Sequence, residues 1–234
     1  MLILAPTTRH QPRESADRDG ACSVRPVESS DAGPVRLTGR FAVALSWAAA
    51  LHGDQRRKSS EIPYLSHLLA VSALVLEDGG NEEEAIAALL HDAIEDSGAA
   101  LADFEAALGA ELGARVYRVV EGCSDRAEDP DAPRDASSWD ERKTRYLEHL
   151  ADPSVAESVL RISVADKLHN ARTILSGLRE NGAALWDRFN AGEARQLWYY
   201  RSLVDVLTRR YPRPITRELA NVVAEIAAVA EAQR

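Results

Sequence analysis

The chain carries a dense group of metal-ligating and acid–base side chains between residues 91 and 96. His91 and Asp92 are followed at helical spacing by Glu95 and Asp96. An imidazole and carboxylates are ligands for a divalent metal ion, and a further carboxylate beside the ion can act as a base toward water. The alternative interpretation is the solvated acidic face of a helix, because charged outer faces are common in helical proteins.

The place of the acids within the predicted helix argues against a purely solvated face. Asn81 is expected to cap this helix at its start, so that Glu95 and Asp96 fall in its last turn. Negative charge at that end is unfavourable for the helix dipole. A bound metal cation would offset the penalty.

Two further candidate ligands, His67 and Asp166, occur on other predicted helices with apolar surroundings. Taken singly, His67 would be a hydrogen-bonded core residue and Asp166 the ion-pair partner of a Lys or Arg. Together with His91 and Asp92 they form a mixed nitrogen and oxygen set, which suits ions such as Mn²⁺, Fe²⁺ or Mg²⁺ better than a structural thiolate site does. The set predicts a single-metal hydrolase, in which the ion activates water and polarises a phosphoryl group.

The elements that must position these residues are predicted to be helices, and the fold an all-α bundle without strands. Residues 7–37 are rich in Arg, Asp, Ser, Pro and Gly, which predicts a disordered tail at 1–37 and one domain at 38–234. Residues 124–137 are rich in Asp and Pro and are predicted to form a surface loop that could cover the site. One helix is expected to follow Asn81 and to include the 91–96 group. The other predicted helices are Phe41–Leu51, Pro63–Leu76, Leu101–Leu108, Glu111–Cys123, Ser138–Leu150, Ser154–Leu178, Ala191–Arg209 and Ile215–Ala232.

The composition is that of a single-domain cytoplasmic protein. The net charge of −9 over 234 residues argues against a basic face for duplex nucleic acid. The two cysteines, Cys22 and Cys123, are interpreted as unpaired thiols in a reducing compartment. We expect no membrane span, because no apolar run is long enough, and no secretory signal at the start of the chain. The sequence carries no prediction of an oligomeric state.

Several motifs resemble those of a known family. His67, His91-Asp92 and Asp166 are similar in order and spacing to the H…HD…D signature of HD-domain phosphohydrolases. Between residues 48 and 172, further segments resemble motifs of the RelA/SpoT-type (p)ppGpp hydrolase domains, in the same order. These segments are Ala48–Lys58 (A-x-x-x-H-x-x-Q-x-R-K), Pro63–His67 (P-Y-x-x-H), Leu89–Ser97 (L-L-H-D-x-x-E-D-S), Trp139–Tyr146 (W-x-x-R-K-x-x-Y) and Val164–Arg172 (x-A-D-K-L-x-N-x-R).

The resemblance implies a role for each matching residue. The four ligands named above would hold one Mn²⁺, and Glu95 with Asp96 would position or deprotonate the attacking water. The residues implied to bind substrate are Arg57 and Lys58 at the nucleotide, Asn170 at the nucleoside, and Lys143 and Arg172 at phosphate.

The resemblance also implies an activity, the Mn²⁺-dependent hydrolysis of ppGpp or pppGpp to GDP or GTP and pyrophosphate. One alternative is a related phosphohydrolase that acts on ppApp, NADPH or a 5′-nucleotide. Another is a non-catalytic module that senses a small nucleotide. The intact ligand set and the Glu95–Asp96 pair argue against the sensing module, since a binding protein has no need of a base beside a metal.

Two aromatic or imidazole features lie outside these roles. The run Trp198-Tyr199-Tyr200 is predicted to pack in the core rather than to stack on a base. His169 stands beside Asn170, at a position where relatives often carry a Tyr, and it would either alter base or sugar preference or simply pack.

Overall fold

The structure, a computed structural model, describes residues 34–58, 60–124 and 138–233. The predicted tail at 1–37 therefore lies outside the described residues except for 34–37, which are exposed and non-helical. The predicted loop at 124–137 lies outside them except for Ser124. The domain boundary at residue 38 stays a prediction. Thr38 is the N-cap of the first helix, where its side chain accepts a hydrogen bond from the backbone N–H of Arg40.

The all-α prediction is confirmed, since the described part of the chain is built from helices and contains no strand. None of its helices is both long and apolar enough to span a membrane. A 3-10 helix spans Gly182–Arg188. The α-helices are α1 Gly39–His52, α2 Leu65–Glu77, α3 Glu82–Leu89, α4 Ala93–Ser97, α5 Leu101–Leu108, α6 Ala110–Cys123, α7 Trp139–Ala151, α8 Glu157–Asn181, α9 Gly192–Arg210 and α10 Pro214–Ala232.

The long helix α8 lies at the centre of the packing. Leu160, Ile162, Val164 and Leu168 are buried on it, and the helix packs against α2, α6 and α10. Because so many of its sides are covered, polar residues in its middle are also removed from water. Asp166 is one of these residues, so α8 carries a carboxylate into the interior.

The helix predicted to follow Asn81 begins as expected. The Asn81 side chain accepts a hydrogen bond from the Glu84 backbone N–H at 3.0 Å, and the Glu84 side chain accepts one from the Asn81 N–H at 2.8 Å. This reciprocal capping box satisfies two backbone donors at the start of α3. The predicted cap is therefore confirmed.

The same helix does not continue to Asp96, and that part of the prediction is wrong. Helix α3 ends at Leu89 and α4 begins at Ala93, with a tight turn between them. In the turn, the backbone N–H of Leu90 donates to the Ala87 carbonyl at 3.1 Å, and that of Ala93 donates to the Leu90 carbonyl at 2.9 Å. Both bonds span three residues rather than four, so the α-helical ladder is interrupted there.

The interruption also overturns the argument from the helix dipole. Glu95 and Asp96 lie in the first turn of α4, not at the end of a longer helix. Acidic groups in a first turn carry no dipole penalty. A metal is therefore not needed to explain their position.

The segment that joins α1 to α2 folds back on itself. The Arg57 N–H donates to the Ile62 carbonyl at 2.8 Å, and the Tyr64 N–H donates to the Gln55 carbonyl at 2.9 Å. These bonds hold Gln55 and Arg57 beside the start of α2, which carries His67.

Candidate active site

The four predicted metal ligands converge from three parts of the fold. His67 Nε2, on α2, lies 3.2 Å from Asp166 Oδ1 on α8 and 3.8 Å from Asp92 Oδ2. His91 Nε2 lies 3.0 Å from Asp92 Oδ2 and 3.8 Å from Asp166 Oδ1. Donor atoms of His67, His91 and Asp92 all lie within 4.8 Å of one another, which makes this group a possible metal site.

The turn between α3 and α4 explains how two consecutive residues can share one site. On a continuous helix, neighbouring side chains point about 100° apart and do not face each other. At the turn, His91 and Asp92 instead direct Nε2 and Oδ2 to the same place. The interruption of the helix is therefore what allows both residues to be ligands.

The protonation of His91 shows that the site favours a cation. Its Nδ1 lies 2.8 Å from the Ala88 carbonyl oxygen, to which it must donate, so Nδ1 carries a proton and the neutral ring offers its lone pair at Nε2. That Nε2 atom is buried and lacks a hydrogen-bond partner among the described residues, although two carboxylates face it. A ring nitrogen that faces two carboxylates holds a cation there, either a proton or a metal ion, so the donor set fits a metal ion.

The electrostatics of the ligands agree with that conclusion. Burial alone would lower the pKa of His91, but Asp92 and Asp166 outweigh it and raise that pKa well above its usual value. Burial likewise opposes ionisation of the two acids. Even so, His91 lowers the pKa of Asp92, and Lys167 lowers that of Asp166 well below its usual range. The site thus holds two carboxylates in their anionic form.

Side chains outside the ligand set fix the two carboxylates. The Tyr64 hydroxyl donates to Asp92 Oδ2 at 2.6 Å, and the Lys167 ammonium group contacts Asp166 Oδ2. Such outer partners orient metal ligands and tune their basicity. Sequence reasoning gave Tyr64 and Lys167 no role, although they occupy specified positions of the motifs P-Y-x-x-H and x-A-D-K-L-x-N-x-R.

The two acids predicted to act on water lie on α4, next to the ligand-bearing turn. Glu95 is half-buried and Asp96 is exposed. Asp96 Oδ2 accepts a hydrogen bond of 2.8 Å from Gln55 Nε2, and Gln55 Oε1 lies 2.6 Å from Nδ1 of the buried His52. This chain orients the Gln55 amide, so that its NH₂ group faces Asp96.

His67, His91, Asp92 and Asp166 form the ligand group, and residues bonded to it, among them Tyr64 and Asn170, line a cavity of about 660 Å³. This volume is within the usual range for small-molecule sites. Four of the five predicted substrate residues line it, together with His169 and several aromatic rings. The predicted residues are Arg57, Lys58, Lys143 and Asn170, and the rings belong to Tyr64, Trp139, Phe189, Tyr199 and Tyr200.

Hydrogen bonds connect the cavity wall to the ligand group. Arg57 Nη2 donates to Asn170 Oδ1 at 2.7 Å, and Asn170 Nδ2 donates to Asp166 Oδ1 at 2.6 Å. Asn170 is thus bonded directly to Asp166, and Arg57 is connected to Asp166 through Asn170. A substrate that contacts either residue therefore touches a side chain linked to this predicted metal ligand.

The structure does not bring Arg172, the fifth predicted substrate residue, to the cavity. Its guanidinium pairs with Glu218 on α10, and the side chain is 43% exposed. It lies six positions after Asp166, which at about 100° per residue places it on a different side of α8. We therefore leave Arg172 out of the site.

The run Trp198-Tyr199-Tyr200 divides between two environments. Tyr199 and Tyr200 are buried, as predicted, and also border the cavity. Trp198 is 42% exposed, so the prediction of core packing is wrong for this residue. Consecutive positions on α9 point in different directions, and a single description of all three could not hold.

His169 lies between the cavity and the ligand group. It is half-buried, and its ring centre is 4.9 Å from that of His67. Burial, His67 and Arg57 lower the pKa of His169 to about 4. Its imidazole is therefore neutral at physiological pH.

Comparisons with known proteins agree with this geometry. Residues 44–191 match the family model described as HD domain. The chain is 34% identical, over 56% of its length, to the guanosine-3′,5′-bis(diphosphate) 3′-pyrophosphohydrolase MESH1 of Xenopus tropicalis, and it spans 67% of that protein. It is 32% identical to a probable guanosine-3′,5′-bis(diphosphate) 3′-pyrophosphohydrolase of Synechocystis, again over 56% of its length, but spans only 16% of that protein.

A solved structure shows the same fold. It is described as a metazoan ortholog of SpoT that hydrolyses ppGpp, and it matches with a TM-score of 0.60. The match covers 82% of this chain and 97% of the other at 24% identity, so it is evidence for the fold alone.

Proposed function

Because the chain belongs to the HD-domain family and is similar to guanosine-3′,5′-bis(diphosphate) 3′-pyrophosphohydrolases, we propose that it hydrolyses ppGpp to GDP and pyrophosphate. The same reaction converts pppGpp to GTP. The observation that carries the proposal is the ligand group, whose hydrogen-bonded partners Tyr64 and Asn170 line a nucleotide-sized cavity with cationic and aromatic walls. The cytoplasmic location expected from the sequence stays a prediction.

The proposed cofactor is one Mn²⁺ ion, held by His67, His91, Asp92 and Asp166. Two imidazoles and two carboxylates suit this ion better than Ca²⁺, which prefers oxygen ligands alone. When bound, the ion supplies Lewis-acid polarisation of a phosphoryl oxygen and lowers the pKa of water.

The reaction requires one proton acceptor close to the ligand group. Water adds to the phosphorus atom attached to the ribose 3′ oxygen, and the bond from that phosphorus to the 3′ oxygen breaks. The water oxygen stays on the released pyrophosphate, and the proton that water loses is passed on to the 3′ oxygen, which leaves as the 3′ hydroxyl of GDP. Asp96 and Glu95 are the proposed acceptors of the proton that water loses. Gln55 donates to Asp96 Oδ2, which orients this carboxylate beside the ligand-bearing turn.

The cavity wall provides charge for the phosphates and a polar contact for the nucleoside. Arg57, Lys58 and Lys143 line it as cations, and a positioned cation stabilises the charge that develops on a phosphoryl group during transfer. Asn170 is the proposed contact to the nucleoside. Because Arg57 already donates to Asn170, substrate binding would exchange this internal bond for bonds to the nucleotide.

The proposal is tested by product analysis of purified protein supplied with Mn²⁺ and ppGpp. We expect GDP and pyrophosphate in equal amounts, separated by ion-exchange chromatography. His91→Ala should lose both bound metal and turnover, because it removes one of the four ligands. Orthophosphate as the product, or equal metal content in wild type and His91→Ala, would contradict the proposal.

A further inference from the structure

The side of the His67 ring that points away from the ligand group contacts another imidazole. His67 Nδ1 lies 2.8 Å from His169 Nδ1, a hydrogen-bond distance. His67 is 1% exposed, and its other ring nitrogen, Nε2, faces Asp92 and Asp166. The ring is therefore held at both ends, at one end by the ligand group and at the other by His169.

The positions of the protons on His67 and His169 follow from the fact that His67 turns its Nε2 atom toward the ligand group. A histidine that ligates a metal through Nε2 offers the Nε2 lone pair to the ion and carries its proton on Nδ1. His67 Nδ1 must then donate, and His169 Nδ1 must accept. His169 in turn carries its own proton on Nε2, so each ring has a defined tautomer.

The second histidine of the site shows a different arrangement. His91 Nδ1 donates to the backbone carbonyl of Ala88 at 2.8 Å, an acceptor that no substitution can remove. His67 uses a side chain for the same purpose. That side chain also lines the cavity proposed to bind nucleotide. The orientation of one ligand is thus set by the backbone, whereas that of the other depends on a replaceable residue.

We propose that His169 is a positioning residue, which accepts the Nδ1 proton of His67 and so holds that ligand in its metal-binding tautomer and orientation. The inference rests on the metal centre of the proposed function. It gives His169 a role that the two alternatives from the sequence, base preference and simple packing, do not include. Loss of an outer partner of this kind weakens metal binding by about 10- to 100-fold.

Two substitutions at residue 169 separate hydrogen bonding from packing. His169→Phe keeps a ring of similar size but has no acceptor. His169→Asn is smaller, yet its side-chain oxygen can occupy the place of the imidazole Nδ1. If His169 acts as an acceptor, the Asn variant retains the metal better than the Phe variant. If it only fills space, the order is reversed.

The measurement is a titration of each metal-free protein with Mn²⁺ alone, followed by electron paramagnetic resonance of the free ion. We expect the Kd for Mn²⁺ to rise about 10- to 100-fold in His169→Phe and to stay within a few-fold of wild type in His169→Asn. His149→Phe is the matched control, since His149 is likewise hydrogen-bonded through a ring nitrogen, in its case to the Gly122 carbonyl, but is exposed on α7. Its Kd should equal that of wild type.

Either of two results would overturn the inference. The first is a wild-type Kd in a folded His169→Phe protein, and the second is an equal or greater loss in His169→Asn. No nucleotide is present in the titration, so its outcome does not depend on the substrate. A wild-type protein that binds Mn²⁺ but does not cleave ppGpp would defeat the proposed activity and leave the role of His169 intact.

Discussion

Each carboxylate and imidazole of the ligand group has a second partner that limits how it can move. His91 bonds a backbone carbonyl, Tyr64 donates to Asp92, and Lys167 pairs with Asp166. A ligand whose orientation is fixed in advance loses less conformational freedom when the metal binds. The site is therefore preorganised by groups that do not themselves face the ion.

Metal binding and proton transfer should be separable at Glu95 and Asp96, because neither belongs to the ligand group. We expect Glu95→Gln and Asp96→Asn to keep wild-type metal content. If the two acids share the role of general base, each change should lower kcat by about 10²-fold or more. Metal analysis and steady-state kinetics on the same preparations provide the check, and full activity in both variants would remove the acids from the mechanism.

The affinity for Mn²⁺ should depend on pH through His91. Without metal, the neighbouring carboxylates hold the pKa of His91 well above its usual value despite burial, so a proton competes with the ion for Nε2. Because binding requires the neutral ring, affinity should be full above that raised pKa and fall as the pH drops below it. Below the pKa, we expect the Kd to rise about tenfold per pH unit. Titrations between roughly pH 6 and 8.5 test this sign, and tighter binding at lower pH would contradict it.

Among the secondary-structure elements, α8 and α3 are joined by a buried ion pair. Arg161 on α8 contacts Glu84, the residue that completes the capping box of α3, and also Asp78 and Glu157. These contacts fix the position of α8, which carries one ligand, relative to α3, which directly precedes two others. Only 8% of Arg161 is exposed, so removal of its charge would leave buried carboxylates without a partner.

Arg161→Met should therefore lower the free energy of unfolding by about 3–5 kcal/mol. The matched control is Arg209→Met, since Arg209 pairs with Asp205 one turn away on α9 and both side chains are mostly exposed. That change should stay within about 0.5 kcal/mol of wild type. Urea denaturation of the metal-free proteins gives both values, and equal losses in the two variants would rule out a special role for the buried pair.

The sequence predicted most helices to within a few residues, but not the turn that makes the site. Leu89, Leu90, Ala93 and Ile94 are all buried, so the apolar pattern of a single helix continues through the interruption. Only the backbone bonds reveal the break, and they depend on tertiary packing. The 3-10 helix after α8 was missed for a similar reason, because short turns carry little periodic signal.

The sequence predicted which residue types form the site, but not where each side chain points. The spacing of imidazoles and carboxylates indicated the ligands, and the structure brings all four together. Arg172 matched a motif as well as Asn170 did, yet only Asn170 faces the cavity. Which side of α8 is buried depends on its neighbours, and a linear motif does not contain that information.

Over the whole molecule, a negatively charged protein is proposed to bind a negatively charged nucleotide. The net charge is −9, so attraction must come from the local cations of the cavity rather than from the overall field. Arg57, Lys58 and Lys143 supply that local charge. Capture of substrate should therefore depend on a few residues.

Arg57→Ala and Lys58→Ala should mainly raise KM, because each removes a charge-assisted contact worth about 1.5–3 kcal/mol. That energy corresponds to a change of about 10- to 150-fold. Arg179→Ala is a suitable control, since Arg179 pairs with Glu225 on the surface and does not line the cavity. Initial rates over a range of ppGpp concentrations provide the values, and a KM for either cavity variant equal to that of the control would contradict this assignment.

The reaction proposed for this protein is the removal of a 3′-pyrophosphate from a guanosine nucleotide. The most direct test compares kcat/KM for ppGpp, ppApp, NADPH and simple 5′-nucleotides at one Mn²⁺ concentration. We predict that ppGpp is cleaved fastest and that its 5′-diphosphate remains intact in the product. Faster turnover of a nucleotide without a 3′-pyrophosphate would indicate another phosphohydrolase activity on the same fold. No turnover of any of them by metal-loaded protein would contradict the claim and favour a nucleotide-sensing module.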